Sequence, residues 1–417
     1  MRVNSETMPT ETARWPTKKF GDIALFRNGL NFLKSDNGDK VKVVGVANFQ
    51  NNFRVSYDQL DTVRIAGALS SDDLLKDGDL LFVRSNGNKA LIGRCILIDE
   101  LNEPVSFSGF TIRARITDPS VLPEFIGVYF RSEKAREQLH EAGAGSQISN
   151  LSQGLLASLE VSLPSLPEQE TLTKALRDAD ALVESLGQLL VKKREVKQGA
   201  MQELLTGKKR LPGFNDKWNV KLLGELGTTY GGLTGKTKAD FGEGSGQYVT
   251  FMNVMSNVVI DCGIFERVRI SPTESQNCVL KGDLLFNGSS ETPEEVAMCA
   301  VLKADIPNLF LNSFCFGFRL RDGADVDGLF FAYLLRGTTG REMMKSLAQG
   351  STRYNLSKAA LLRSSIRVPS LPEQNAIADL LSDMDAEIAA IETKLSKARQ
   401  IKQGMMQELL TGRIRLV

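Results

Sequence analysis

MQELLTG stands at residues 201–207 and again at 406–412, and PSLPEQ stands at 164–169 and again at 369–374. Both motifs recur at one offset, 205 (406 less 201, and 369 less 164), so the segment between them has the same length in each copy. Internal repetition on this scale is read before any local pattern. Working outward, GSQISNLS (145–152) matches GSTRYNLS (350–357), and FIGVYFRSEKAREQL (125–139) matches FFAYLLRGTTGREMM (330–344), both at 205. KDGDLLF (76–82) faces LKGDLLF (280–286) at 204, and WPTKKFGDIALFRNGL (15–30) faces WNVKLLGELGTTYGGL (218–233) at 203. The chain is one design made twice, with divergent middles. KKRLPGFNDKW follows the first MQELLTG and RIRLV the second, so the two units read as a closed cycle.

Each stretch from PSLPEQ to MQELLTG reads as one long helix. Ser165 with Glu168, and Ser370 with Glu373, have capping-box spacing, and Pro167 and Pro372 fall in the first turn, where a missing N–H does no harm. Gly207 and Gly412 supply the glycine stop. Apolar positions between them step by four and three: Leu172, Leu176, Ala179, Val183, Leu186, Leu190, Ala200 and Leu204 in the first copy. The second has Ile377, Leu381, Met384, Ile388, Ile391, Leu395, Ala398, Met405 and Leu409. This is a heptad seam interrupted by Lys193 and Lys197 in one copy and Lys402 in the other. Such a stripe must be covered, and the other copy is the simplest cover. Two copies related by a pseudo-two-fold axis place the helices antiparallel. Roughly 37 residues at ~1.5 Å each make a rod of ~55 Å.

The globular part of each copy is β-rich: KVVGVANF, DLLFVRS, RCILID and FTIRARI in the first; QYVTFMNVM, RVRI, DLLFNG and FGFRLR in the second. Gly- and Asn-rich turns separate these runs, and a helix follows late. The expected class is α+β: two pseudo-symmetric globular domains, each with a curved mixed sheet and a few helices, joined by two long helices packed as an antiparallel coiled coil. The boundaries are a polar lead-in over 1–14, a first domain over 15–163, a central helix region over 164–212, a second domain over 213–368 and a C-terminal helix region over 369–417.

Two loops in each unit carry side chains that pair with base edges or phosphates. RSNGNKALIG (84–93) offers Arg84, Asn86, Asn88 and Lys89; GSQISN (145–150) offers Ser146, Gln147 and Asn150. NGSSETPEEVA (287–297) offers Ser289, Ser290 and Thr292; GSTRYN (350–355) offers Ser351, Thr352, Arg353, Tyr354 and Asn355. Lys236 and Lys238 come from GGLTGKTK (231–238), which falls one residue short of the phosphate-binding G-x-x-x-x-G-K-[ST], because Tyr230 stands where the first Gly belongs.

Composition excludes several alternatives. No apolar run approaches the ~18–20 residues of a membrane span, and MRVNSETMPTETARW lacks the apolar core of a signal peptide. Five cysteines without a C-x-x-C pair read as buried free thiols in a reducing cytosol, so a cytoplasmic location is expected. With one histidine, His140, in the charged stretch EKAREQLHEAG, neither a histidine metal site nor a Ser–His nucleophile is supported. A net charge of +1 argues against a free-standing DNA binder and leaves room for one that acts inside a complex.

The alternation of unit, PSLPEQ helix and MQELLTG, twice over from about Trp15 to the end, resembles the specificity subunit of type I restriction–modification systems. GLTGKTKADFG and FNGSSETPEEV also look like stretches of that family's target recognition domains. The resemblance implies a non-catalytic subunit in which each globular domain reads one half of a bipartite, asymmetric double-stranded DNA target. The paired helices would set the unread spacer and dock two methyltransferase subunits. Two restriction/translocase subunits would complete the assembly, with AdoMet, ATP and Mg on the partners and no cofactor on this chain. A different class of function, a structural adaptor clamping two copies of a protein partner, is the alternative; an NTP-hydrolysing switch would rest on GGLTGKT alone.

Overall fold

The computed structural model describes residues 15–31, 38–49, 53–65, 69–142 and 150–416. The chain forms two compact units. One takes the chain up to Leu186 and again from Lys394 onward; the other is Gly187–Thr393. Both divisions fall inside long helices, Leu166–Leu204 and Leu371–Leu409, of 39 residues each.

In the first unit a four-stranded antiparallel sheet runs in the order Ala24–Asn28, Thr111–Ile116, Leu80–Val83, Cys95–Leu97. A three-stranded sheet packs beside it, Asp39–Val44 central between Asp61–Ile65 (antiparallel) and Val105–Phe107 (parallel). The DLLF strand is apolar throughout because it is buried on both faces. Leu80 and Phe82 join a core with Phe125, Tyr129, Leu172, Leu176 and Leu409. Leu81 and Val83 join a second core with Val105 and Phe107. Burying each such side chain contributes about 1.5–3 kcal/mol relative to leaving it in water.

The second unit repeats this internally. Its four-stranded sheet is Gly227–Gly231, Cys315–Leu320, Leu284–Asn287, Cys299–Val301, and its three-stranded sheet places Phe241–Val249 between Glu266–Val268 and Leu309–Leu311. Leu284 and Phe286 face a core with Phe330, Leu204, Ile377 and Leu381, while Leu285 faces the other. Each unit thus splits its main strands between a four-stranded and a three-stranded sheet, with smaller ladders beside them, where the sequence suggests one curved sheet. FMNVM, read as strand, turns into the helix Phe251–Ser256, because the Thr250 side chain accepts the Asn253 N–H and caps it.

Matching polar anchors lock each frame. Asp79 accepts Nε and Nη2 of Arg115, both at 2.7 Å; Asp283 accepts the same atoms of Arg319 at 2.9 and 2.6 Å. The Tyr230 hydroxyl also donates to Asp283, at 2.6 Å, and burial with that carboxylate beside it pushes the phenol well above its usual range. At each long-helix start a buried glutamine bridges to the domain. Gln169 accepts the Leu122 N–H and donates to the Ser120 and Pro164 carbonyls, and Gln374 does so with Asp327, Asp325 and Pro369.

The neighbouring glutamates do not act as a capping box. Glu168 is drawn into a fork with Arg415, and Glu373 into one with Arg210, so their carboxylates turn away from the helix start. Gly207 and Gly412 do stop the helices, at φ 70° and 72°, in the left-handed region where a glycine carries no Cβ penalty. Trp218 packs on Gly207 and Trp15 on Gly412.

Every expected seam residue is covered to some degree. Leu172, Leu176, Leu190, Ile377, Leu381, Ile391 and Leu395 are buried; Val183, Leu186, Met384 and Ile388 are half-buried. Within each unit a stretch of one long helix runs antiparallel to a stretch of the other. Lys193 meets Glu387 and Lys197 meets Asp385 in the second unit; Lys402 meets Asp180 in the first. The lysines that interrupt the heptads are therefore its cross-helix ion pairs. Of the cysteines, Cys95, Cys299 and Cys315 are buried free thiols, whereas Cys262 and Cys278 are exposed, against the expectation of burial. Burial pushes the Cys315 thiol up to about 12.

Candidate nucleic-acid interface

In each unit the loop after the DLLF strand and the loop before the long helix are tied by backbone bonds. In the first, the Leu151 N–H donates to the Arg84 carbonyl at 2.7 Å; in the second, the Leu356 N–H donates to the Gly288 carbonyl at 3.0 Å. A third segment joins them, the turn before the strand Thr111–Ile116 or Cys315–Leu320. The Arg84 N–H donates to the Phe110 carbonyl at 2.8 Å, and the Gly288 N–H to the Phe314 carbonyl at 2.7 Å. Three loops thus converge at one corner of each unit.

The first corner carries Arg84, half-buried, with Nη1 3.4 Å from the Gly109 carbonyl oxygen. Asn86 and Asn88 shape their own loop: Asn86 Oδ1 accepts the Asn88 N–H and Asn88 Oδ1 accepts the Ala90 N–H. Asn88, Lys89 and Asn150 are exposed at its rim. Ser146 and Gln147 lie outside the described residues.

The second corner is built differently on the same frame. Ser289–Ser290 pairs with Tyr354–Leu356, which pairs with Ala348–Gln349. Ser289 and Ser290 are buried by that pairing, and the Ser290 hydroxyl donates to the Glu295 carboxylate. Ser351, Thr352, Arg353, Asn355 and Thr292 are exposed, and Tyr354 is half-buried. The Arg353 guanidinium lies over the Phe314 ring, 5.3 Å from its centroid. Behind this corner Arg341, in the helix Thr338–Ser346, donates to the Glu294, Val296 and Ala297 carbonyls and fixes the loop. Arg336 does the same for Val254, Met255, Asn257 and Cys299. Burial lowers both guanidinium pKa values; the carbonyls take Nε and Nη2 of Arg336 and both Nη groups of Arg341, whose buried Nε has no partner among the described residues.

Lys238 is exposed, but the Lys236 side chain is only 6% exposed and donates to Glu274 and to the Arg269 carbonyl. An ammonium held that way is not aimed at a phosphate, which removes the physical basis for a nucleotide loop at GGLTGKT. Thr237 holds the Asp240 carboxyl below its usual range through its N–H and its hydroxyl. His140 is exposed near the end of the helix Glu133–Ala142. Among the described residues no cluster of three or more His, Cys, Asp or Glu could hold a metal ion, and no helix is long and apolar enough to cross a membrane.

Sequence reading passed over Phe110 and Phe314. They are 61% and 56% exposed, the two exposed phenylalanines among the described residues. The signal was the match of FSGFTIRARI (107–116) to LNSFCFGFRL (311–320) at offset 204, which keeps an aromatic at the same turn position.

The family model described as "Type I restriction modification DNA specificity domain" matches residues 13–192 and 215–400. The MjaVIII type I restriction enzyme specificity subunit of Methanocaldococcus jannaschii is 24% identical over 303 residues, covering 69% of this chain and 70% of that protein. The StySPI type I specificity subunit of Salmonella potsdam is 21% identical over 422 aligned positions, covering 96% and 88%. The crystal structure of a type I S subunit from M. genitalium superposes with a TM-score of 0.57 at 14% identity, covering 96% of this chain and 98% of that one.

Proposed function

This chain belongs to the type I restriction–modification DNA specificity family, and on that premise we propose that its two domains, over 15–163 and 213–368, read the two halves of a bipartite, asymmetric DNA target. It is the DNA-recognition subunit and not a catalyst. The observation that carries the reading is one frame built twice with unlike corners. Asp79–Arg115 and Asp283–Arg319, Gln169 and Gln374, and the three-loop junctions correspond, while the side chains at the junctions differ. Exposed Asn88, Lys89 and Asn150 at one corner, and Thr292, Ser351, Thr352, Arg353 and Asn355 at the other, are the donors and acceptors offered to bases and phosphates, with Arg84, Asn86 and Tyr354 behind them; Lys238 is a further exposed cation of the second unit.

The two long helices set the length of the unread spacer and dock two methyltransferase subunits. Two restriction/translocase subunits complete the assembly in the cytoplasm. AdoMet, ATP and Mg act on those partners, which also supply the basic surface that a chain of net charge +1 lacks. Mapping methylated positions in host DNA tests this. A two-part motif that is methylated only when this chain accompanies its modification subunits is expected; an unchanged pattern in its absence would contradict it.

A further inference from the structure

We propose that Phe110 and Phe314 are stacking probes: each ring packs against a base of its own half-site and loosens the base stack there. The inference rests on the DNA-reading role above and deepens it to a contact. A single exposed apolar side chain is ordinary and needs no explanation. Here the same ring stands at the same turn of both units, and both turns are clamped in the same way.

The clamps are specific. Thr111 and Cys315 close the turns by donating to the Ser108 and Asn312 carbonyls at 2.8 and 2.9 Å. The Phe110 N–H donates to the Ser108 hydroxyl, and the Phe314 N–H to Asn312 Oδ1. A glycine lies beneath each turn. A β-carbon at Gly29 would sit 2.2 Å from the Ser108 carbonyl oxygen, and one at Gly232 would sit 2.1 Å from that of Asn312. The flanking N–H groups of Leu30 and Leu233 donate to the Phe107 and Leu311 carbonyls at 2.9 and 2.8 Å. The backbone beneath each ring is therefore fixed, while the ring itself points to solvent.

The surroundings fit DNA. Arg84 lies beside the first turn, and Arg353 lies over the second ring. A guanidinium next to an exposed aromatic is the pairing that binds phosphate with one group and a base face with the other. Apolar wedges at base steps unstack and kink a duplex. Asn, Ser and Thr at the same corners supply edge contacts to a base so displaced.

The test uses the full chain with its modification subunits and duplexes carrying 2-aminopurine at each target position in turn. The wild-type complex should brighten at least one position in each half-site. F110A should abolish brightening in one half only, F314A in the other only, each with about a 5- to 100-fold loss of affinity for cognate DNA. Non-cognate affinity and melting temperature should stay unchanged, and F110W and F314W should restore the signal. Leucine variants that match wild type in brightening and affinity would overturn stacking in favour of simple apolar groove contact. Sequence-specific wild-type binding with indifferent alanine variants would overturn this inference alone. A wild-type complex that binds all duplexes equally would overturn the DNA-reading role as well.

Discussion

Arg415 forks onto Glu168 through Nε and Nη2, at 2.8 and 2.7 Å from the two carboxylate oxygens. Arg210 forks onto Glu373 in the same manner, both distances 2.5 Å, and the two pairs are offset by 205 at both partners. The residue just past the end of one long helix is thus tied to the start of the other, within each unit. The repeat therefore has an energetic meaning, because each fork closes its unit by joining segments far apart in the chain, 247 positions in the first unit and 163 in the second.

Glu373 has no exposed surface, and the Arg210 side chain is 23% exposed. Replacing Arg210 by Ala leaves a buried carboxylate without its partner. Such losses cost about 3–5 kcal/mol when both groups are enclosed, and partial exposure of the arginine lowers the expectation to about 2–3 kcal/mol. R415A acts on the more exposed fork and should be milder. Urea melts of the two variants would show this order; equal, negligible shifts would contradict it.

Lys197–Asp385 and Lys402–Asp180 occupy equivalent cross-helix positions, and Asp385 also accepts the Tyr333 hydroxyl at 2.7 Å. Double-mutant cycles with Lys→Met and Asp→Asn should give coupling energies of about 0.5–1 kcal/mol for each pair, weakened by salt. Coupling near zero at both pairs would mean that they are ornaments of a purely apolar seam.

Gly412 holds φ 72° with Trp15 against it. G412A should cost about 1–2 kcal/mol, since a Cβ is disfavoured in the left-handed region. G207A should do the same beside Trp218. Calorimetry on both variants would check this, and an unchanged melting temperature would contradict it.

Seven residues of heptad-matched sequence, inserted after Gln188 and again after Thr393, preserve the seam and add about 10 Å to each helix. The unread spacer should grow by about three base pairs, at ~3.4 Å each. Insertion in one helix alone should slip the seam and abolish methylation. A double insertion with an unchanged spacer would rule out the ruler role.

Much of the architecture was legible because repetition is a global signal that local ambiguity does not erase. The common offset located both long helices, and the heptad seam named Leu172 through Leu395 as covered. What stayed hidden depends on partners distant in sequence. Glu168 has the spacing of a capping residue, and only the fold shows Arg415 reaching it from 247 positions away. Ser289 and Ser290 look like loop hydroxyls until the strand Tyr354–Leu356 pairs with them. The lysine of GGLTGKT reads as a phosphate ligand until Glu274 is seen to hold it. Phe110 and Phe314 escaped because an aromatic beside a strand is ordinarily core, and only the shared turn geometry turns them outward.

The central claim is that each domain reads its own half-site independently. The most direct measurement is methylation mapping in cells whose specificity subunit carries residues 15–163 from a relative with a different target. One half of the methylated motif should change, while the other half and the spacer length stay as they were. A motif changed in both halves, or in neither, would contradict the account.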